Sequence, residues 1–551
     1  MTGAFSGSGL DFIGNWDAEN DRFVRPIFCP HCEAPSPVVP DEVREACLCG
    51  FCGRAFELVL LEVGEGQGAR AVYVARRPQL ACCSMTGQRL VQASALDWAG
   101  QNGSAQRSGA VRDARGLLYG EPGRDVAWDL ERHWSQARMG KDDGLRPDEI
   151  VTSVSVWKGV VVVVTASGLV GLFDPDDGAP LLPHAISWPG VDLEDDDHAR
   201  AVRLPPALQG TIMVVGTDRT MLVRDLAPAI FPRQASVAVS AGRLFTELPA
   251  GDGQWIGAPL LCGDRAPRAF LVHGHVGPEG VSDGAVVVVN ADGPQAGEIL
   301  GRVPAGNIAR PPVYDDGHQV VVWVSRAGHI HVTDIAKPID EPRVFVPQEL
   351  LALGPQERAL LLVAHDAKGE TELWLADDRN GLRVWRVALS RVLSGAAWSW
   401  EPLLEAADIG ALRALCVGAA TRVASVGKAM AGQLFLLATE RSTAAYTRAL
   451  KSNASDSVLA RAPVAPPVMT PAGYLSQDRQ GLWLRALPPW SFVDDNPERY
   501  LDPGCKETRP AFYDRTFAVV GRDVFFAHGG QVHKARLVPR RYSKAAPSTV
   551  R

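Results

Sequence analysis

Five of the ten cysteines fall within positions 29 to 52, in the order Cys29-Pro-His-Cys32, fourteen intervening residues, then Cys47-Leu-Cys49-Gly-Phe-Cys52-Gly53. Two C-x-x-C pairs joined by a short loop have the ligand spacing of a zinc ribbon, because each pair forms a knuckle whose two thiolates reach one tetrahedral ion. Gly50 and Gly53 suit the tight turn in which backbone approaches sulfur. The expected ligands are therefore Cys29, Cys32, Cys49 and Cys52, with Cys47 as the alternative to Cys49 and His31 a weaker competitor. Four thiolates leave no coordination position for water or substrate, so the expected Zn2+ is structural. A thioredoxin-type redox pair needs its C-x-x-C at the start of a helix, whereas Pro30, Pro35, Pro37 and Pro40 crowd this segment. A disulfide cluster needs an oxidising compartment, and MTGAFSGSGLDFIGNWDAEN has neither the basic nor the apolar region of an export signal. The expected location is the cytoplasm.

Other groups capable of chemistry are sparse. His273-Gly-His275 and His329-Ile-His331 each place two imidazoles on one strand face, a metal-compatible spacing, but with no third ligand assignable they are read as solvent-exposed or core histidines. The acidic run Asp192-Leu-Glu-Asp-Asp-Asp-His198 lacks the glycine spacing of a calcium loop and reads as solvated. Phosphate-binding, zinc-protease and serine-hydrolase motifs are not found. The expectation is no catalytic set. With 56 Lys+Arg against 63 Asp+Glu, and basic residues clustered only from Arg536 to Lys544, nucleic acid is not expected as a partner. The most apolar stretch, Val160 to Phe173, is too short to span a bilayer.

The elements that would position these groups are strands. Ala55 to Val63 reads as a strand carrying the second knuckle, with Ala71 to Ala75 as its partner. Residues 94 to 149 read as a linker, and within it Val126, Leu130, Trp134 and Ala137 recur at helical spacing, so an amphipathic helix is expected over 125–138.

From about residue 150 the chain repeats. One unit is Gly159-Val-Val-Val-Val-Val-Thr-Ala-Ser-Gly-Leu-Val-Gly-Leu-Phe-Asp-Pro-Asp-Asp-Gly178, a strand, a Ser-Gly turn, a second strand and an Asp/Gly hairpin. Related units begin at Gly210, Gln319, Glu372 and Gly473. A Pro-rich step precedes several of them, and Pro206, Pro259 and Pro312 are successively 53 residues apart. Units then start near 151, 206, 259, 312, 360, 413, 467 and 510, enough for seven blades plus a closing element or for eight. A four-stranded sheet with two apolar faces must be covered on both, and a ring of such sheets does this while leaving only short edges. The 54 glycines and 40 prolines become repeated turn chemistry. Trp157, Trp255, Trp323, Trp374, Trp385 and Trp483 are expected to fill space between blades.

The fold class is thus all-β: a seven- or eight-bladed β-propeller at 150–538, preceded by an N-terminal segment at 1–25, a zinc ribbon at 26–93 and the linker, and followed by a basic tail at 539–551. The unit at 159–178 resembles the blade of the pyrroloquinoline-quinone-type repeat, which implies the fold, while the quinone enzymes' functional residues find no counterparts in this chain. Adjacent cysteines carry a cofactor-covering disulfide in those enzymes; Cys82-Cys83 is read instead as two thiols at the end of the ribbon's sheet. A zinc ribbon joined to a propeller also resembles the propeller component of bacterial systems that pair a MoxR-type AAA ATPase with a von Willebrand A-domain protein. That resemblance implies a non-enzymatic protein-interaction scaffold within a multi-protein assembly. The competing expectation is a propeller enzyme, a quinone-dependent dehydrogenase or a hydrolase, working in the central channel.

Overall fold

The computed structural model describes residues 126–137 and most of 151–541, with short strands between 12 and 76 described in backbone only. Outside the description lie 77–125, 542–551 and several connections, including 186–203 and 226–244. Cys29, Cys32, Cys49, Cys52, Cys82, Cys83 and the acidic run at 192–198 are all among these. Cys47 stands on a short strand, Ala46–Leu48, opposite Phe56. The strand expected at Ala55–Val63 is present and pairs antiparallel with Arg70–Arg76.

Residues from Val126 onward form an eight-bladed β-propeller. Each blade is an antiparallel meander whose first strand lines the centre and whose last lies at the rim. Seven of the first strands are Val151–Trp157, Leu204–Gln209, Gln254–Cys262, Val313–Asp315, Ala359–His365, Leu412–Val417 and Val468–Thr470. They fall within about five residues of the starts expected from the repeat; the eighth, Ala518–Val520, begins eight residues after the expected 510. Each innermost strand pairs on one side only, and the prolines within two of them fall in bulges, Pro205 and Pro206 between Leu204 and Ala207 and Pro259 between Ile256 and Leu260, where no ladder hydrogen bond is lost. The first blade has three described strands, and the sixth carries an extra hairpin, Thr421–Ser425 with Lys428–Gly432.

The last blade decides the blade count. Its own segment supplies three strands, Ala518–Val520, Asp523–His528 and Gln531–Arg541, and the fourth comes from far upstream, Val126–Gln136. The closing element and the eighth blade are the same object. The helix expected over 125–138 is therefore a strand, and the propeller extends past 538 to Arg541 and recruits part of the segment read as linker. Helical spacing misled for a physical reason. A bulge at Lys534/Ala535 leaves His133 unpaired, which shifts Trp134 to the face opposite Leu130. Blades press on both faces of this strand, so apolar residues recur neither at two nor on one side.

That strand latches the ring. Trp134 packs on Phe525, and its indole donates to the Pro175 carbonyl of the first blade at 3.3 Å. Lys534, 1% exposed, donates to the same carbonyl at 2.6 Å and pairs with Asp523 at 3.3 Å. Gly178, at φ +74, lies so close that a Cβ there would stand 2.5 Å from the Trp134 ring. One apolar cluster runs through the seventh, eighth and first blades, from Leu475 through Phe525 to Val154. The other inter-blade spaces are filled largely as expected. Trp255, Trp323, Trp374 and Trp385 are all at most 8% exposed and sit in clusters spanning neighbouring blades. Trp483, on the third strand of the seventh blade, is 9% exposed and lies between Tyr500 and the Arg461 guanidinium, whose carbon is 3.7 Å from the ring centre.

Candidate functional site

In this topology, hairpins joining second to third strands and links running from one blade's rim to the next blade's centre emerge on one face. The hairpins there are built by side-chain capping. Thr165 and Ser325 each accept the backbone N–H of the residue four on, and Gly168 and Gly328 take φ +80. The Ser-Gly turn read from the repeat unit is this structure. In the fourth blade it is Ser325-Arg-Ala-Gly-His329, which holds Arg326 and Ala327 outward.

The link to the fifth blade lies on that hairpin: Leu351 N–H donates to the Ala327 carbonyl and Leu353 N–H to the Arg326 carbonyl, both at 3.0 Å. Between them opens a cavity of about 490 Å³. Its polar wall consists of Ser325, Arg326, His329, His331 and Arg379, and among the described residues no carboxylate lines it. The two arginines come from the hairpins of adjacent blades and converge on one acceptor. Arg326 Nε donates to the Leu353 carbonyl at 3.5 Å and an Arg379 terminal nitrogen donates to it at 3.3 Å. The nearby acids are engaged with backbone: Asp377 accepts from the N–H groups of Gly354 and Arg379, and Asp378 from that of Leu412.

His329 and His331 both line this cavity, but not from one strand face as expected: His329 sits in the hairpin and only His331 lies on the strand Ile330–Asp334. Burial, then the neighbouring His329, pushes His331 down to about 4, so it is neutral at pH 7. It stacks on Trp323 at 5.5 Å, and among the described residues its buried Nδ1 and the Trp323 Nε1 have no hydrogen-bond partner. Among the described residues no group of three metal-ligating side chains occurs, and here the neighbours of the two histidines are arginines. The other pair is not brought into a shared site: His273 is bonded to the Ala250 carbonyl at 2.7 Å and packs edge-on to Trp255, while His275 is exposed. The arginines were missed in the sequence because a lone Arg at a hairpin tip carries no signal. The cue that was present is the recurrence of Arg219, Arg326 and Arg379 at equivalent hairpins, two of which clamp the following link, since Arg219 likewise donates to the Gly253 carbonyl.

Outward from the cavity, exposed aliphatic side chains stand among exposed polar and charged ones, Arg343, Gln348 and Glu349. His331 pairs across the sheet with Val344 on the rim strand Arg343–Phe345. Val344, Val346 and Leu350 are 48%, 57% and 63% exposed and form an apolar strip beside the cavity, while Ile339 and Ile299 lie at the opposite end of the rim, at the third-to-fourth-strand connections of the fourth and third blades. Gly301 makes the junction of these two blades: a Cβ there would meet Ile339 at 2.8 Å. Five of the seven exposed large hydrophobic residues among those described lie on the outer strands and connections of the third and fourth blades.

Two buried thiols elsewhere are inert by environment. Cys262 and Cys416 are pushed up by burial, and Cys416 donates to the Pro467 carbonyl of the next blade at 2.9 Å. No described helix is long and apolar enough to cross a membrane.

No family model and no curated protein matches the chain. Among solved structures it is similar to BamB from Moraxella catarrhalis, at 12% identity and a TM-score of 0.37 over 76% of this chain and 95% of that one. It is also similar to the quinohemoprotein alcohol dehydrogenase ADHIIG from Pseudomonas putida HK5, at 11% identity and a TM-score of 0.48 over 80% of each chain. Identities this low speak to fold alone, and the eight-bladed ring rests on the strand pairing itself.

Proposed function

We propose that this protein is a non-enzymatic interaction scaffold, a rigid propeller that presents its rim and loop face to other proteins. The observation that carries the reading is the apolar strip on the fourth blade. Large aliphatic side chains left in water on neighbouring elements cost solvation free energy that a partner recovers by covering them. The zinc ribbon held by Cys29, Cys32, Cys49 and Cys52 supplies a second docking module in this proposal, and the setting is cytoplasmic. The sequence resemblance names the partners' kind, an AAA ATPase and a von Willebrand A-domain protein.

The test is in-cell crosslinking and purification of the full chain beside Val344→Glu and Leu350→Glu. Both positions are exposed, so melting should be unchanged while the crosslinked partners are lost. Retention of the same partners by both variants defeats the strip as the docking surface. Quinone-dependent dye reduction by the reconstituted protein would instead establish the channel enzyme.

A further inference from the structure

The cavity and the strip adjoin, through His331 opposite Val344 and Leu351 after Leu350, and their chemistries differ in a way that specifies a ligand. A guanidinium offers five N–H donors in a planar fork. Arg326 and Arg379 each use one on the Leu353 carbonyl, which orients both forks at the cavity while leaving most donors available. One arginine suffices to clamp such a link, as Arg219 does on Gly253, so the second is surplus to the fold. Two cations in a cavity lined by no carboxylate among the described residues repel one another, a cost that a bound anion removes. His331, neutral at pH 7, adds a buried Nδ1 without a partner among the described residues. The remaining wall, Ala305, Ala327, Leu351 and Leu353, is apolar.

We infer that this cavity receives an acidic side chain from an extended peptide segment of a partner protein, with its carboxylate on Arg326 and Arg379 and its apolar neighbours on Leu350, Val344 and Val346. The segment reading rests on the scaffold proposal and on reach. Exposed Leu350, Val346 and Val344 lead from the cavity onto the rim strand, farther than a small carboxylate extends. Carboxylates suit the site because a planar oxyanion matches the guanidinium fork bidentately.

Fluorescence anisotropy with the full-length protein tests this, using a labelled hexapeptide of alternating Glu and Leu, its Gln-Leu counterpart, free glutarate and inorganic phosphate. The Glu-Leu peptide should bind saturably, and the Gln-Leu peptide at least tenfold more weakly. Arg379→Gln should weaken the Glu-Leu peptide at least tenfold; Ala327→Glu, which removes no clamp and places a negative charge in the cavity, should do the same. Equal binding of the two peptides, or unchanged affinity in both variants, overturns the inference. Glutarate or phosphate binding as tightly as the peptide replaces the segment by a small anion. Partners that crosslink equally to wild type, Arg379→Gln and Ala327→Glu but not to Val344→Glu defeat the cavity while sparing the scaffold.

Discussion

Single residues in this propeller are tuned mostly by burial, and His533 shows the consequence. It is 1% exposed; its Nε2 donates to the His528 carbonyl at 3.1 Å and its Nδ1 accepts from the Ser135 hydroxyl at 2.8 Å. Ser135 in turn accepts from Arg132. The neutral tautomer satisfies both ring nitrogens, and burial pushes the group down to about 4, as it does His331. Because the folded value lies below the unfolded one, near 6.5, the unfolded chain binds more protons between those limits. Stability is therefore fully present above about pH 6.5 and falls as pH drops toward 4, by at most about 3 kcal/mol for His533 and less for the more exposed His331. Denaturant midpoints measured from pH 7 to 4.5 should decline, and His533→Gln should flatten the decline while lowering the midpoint at pH 7. An unaltered slope in the variant would show that other groups govern it. At this scale the sequence located His329 and His331 by spacing alone, whereas the arginines beside them became visible only when two hairpins 53 residues apart were brought to one carbonyl.

Among the elements, the strand Val126–Gln136 has the largest structural consequence. It alone pairs the exposed edge of Gln531–Arg541, and it carries Trp134 and Ser135 into the seam with the first blade and beneath His533. Removing residues 1–140 should open that edge and unpack the cluster around Phe525. The expected outcome is a melting temperature lowered by roughly 10 °C or more, with association visible by size exclusion. A truncation of 1–93, which keeps the strand, should leave the propeller's melting close to that of the full chain. Equal melting of the two truncations would mean the ring closes without its fourth strand. The repeat made the innermost strands legible, since prolines and β-branched runs mark a strand paired on one side only. This rim strand was not legible: its partner lies some 400 residues away, and a bulge at His133 erased the alternation that would have marked it.

For the whole molecule, the proposal divides 551 residues into a metal-held ribbon and a ring that needs no metal. Cys49→Ser tests the division: zinc measured on the purified protein should fall from one equivalent to near zero, while the propeller's thermal transition stays within a few degrees of wild type. Loss of a single joint transition would contradict that independence. The order of blades, their period of about 52 residues and the all-β class were determined in the sequence, because turn chemistry and hydrophobic runs are local and recur with each blade. Whether seven or eight sheets close, which distant strand completes the last one, and which loop residues share a cavity were decided only by the tertiary structure. Closure is a property of the ring as a whole: each depends on groups far apart in the chain meeting at one seam or on one face, and no local pattern records that meeting.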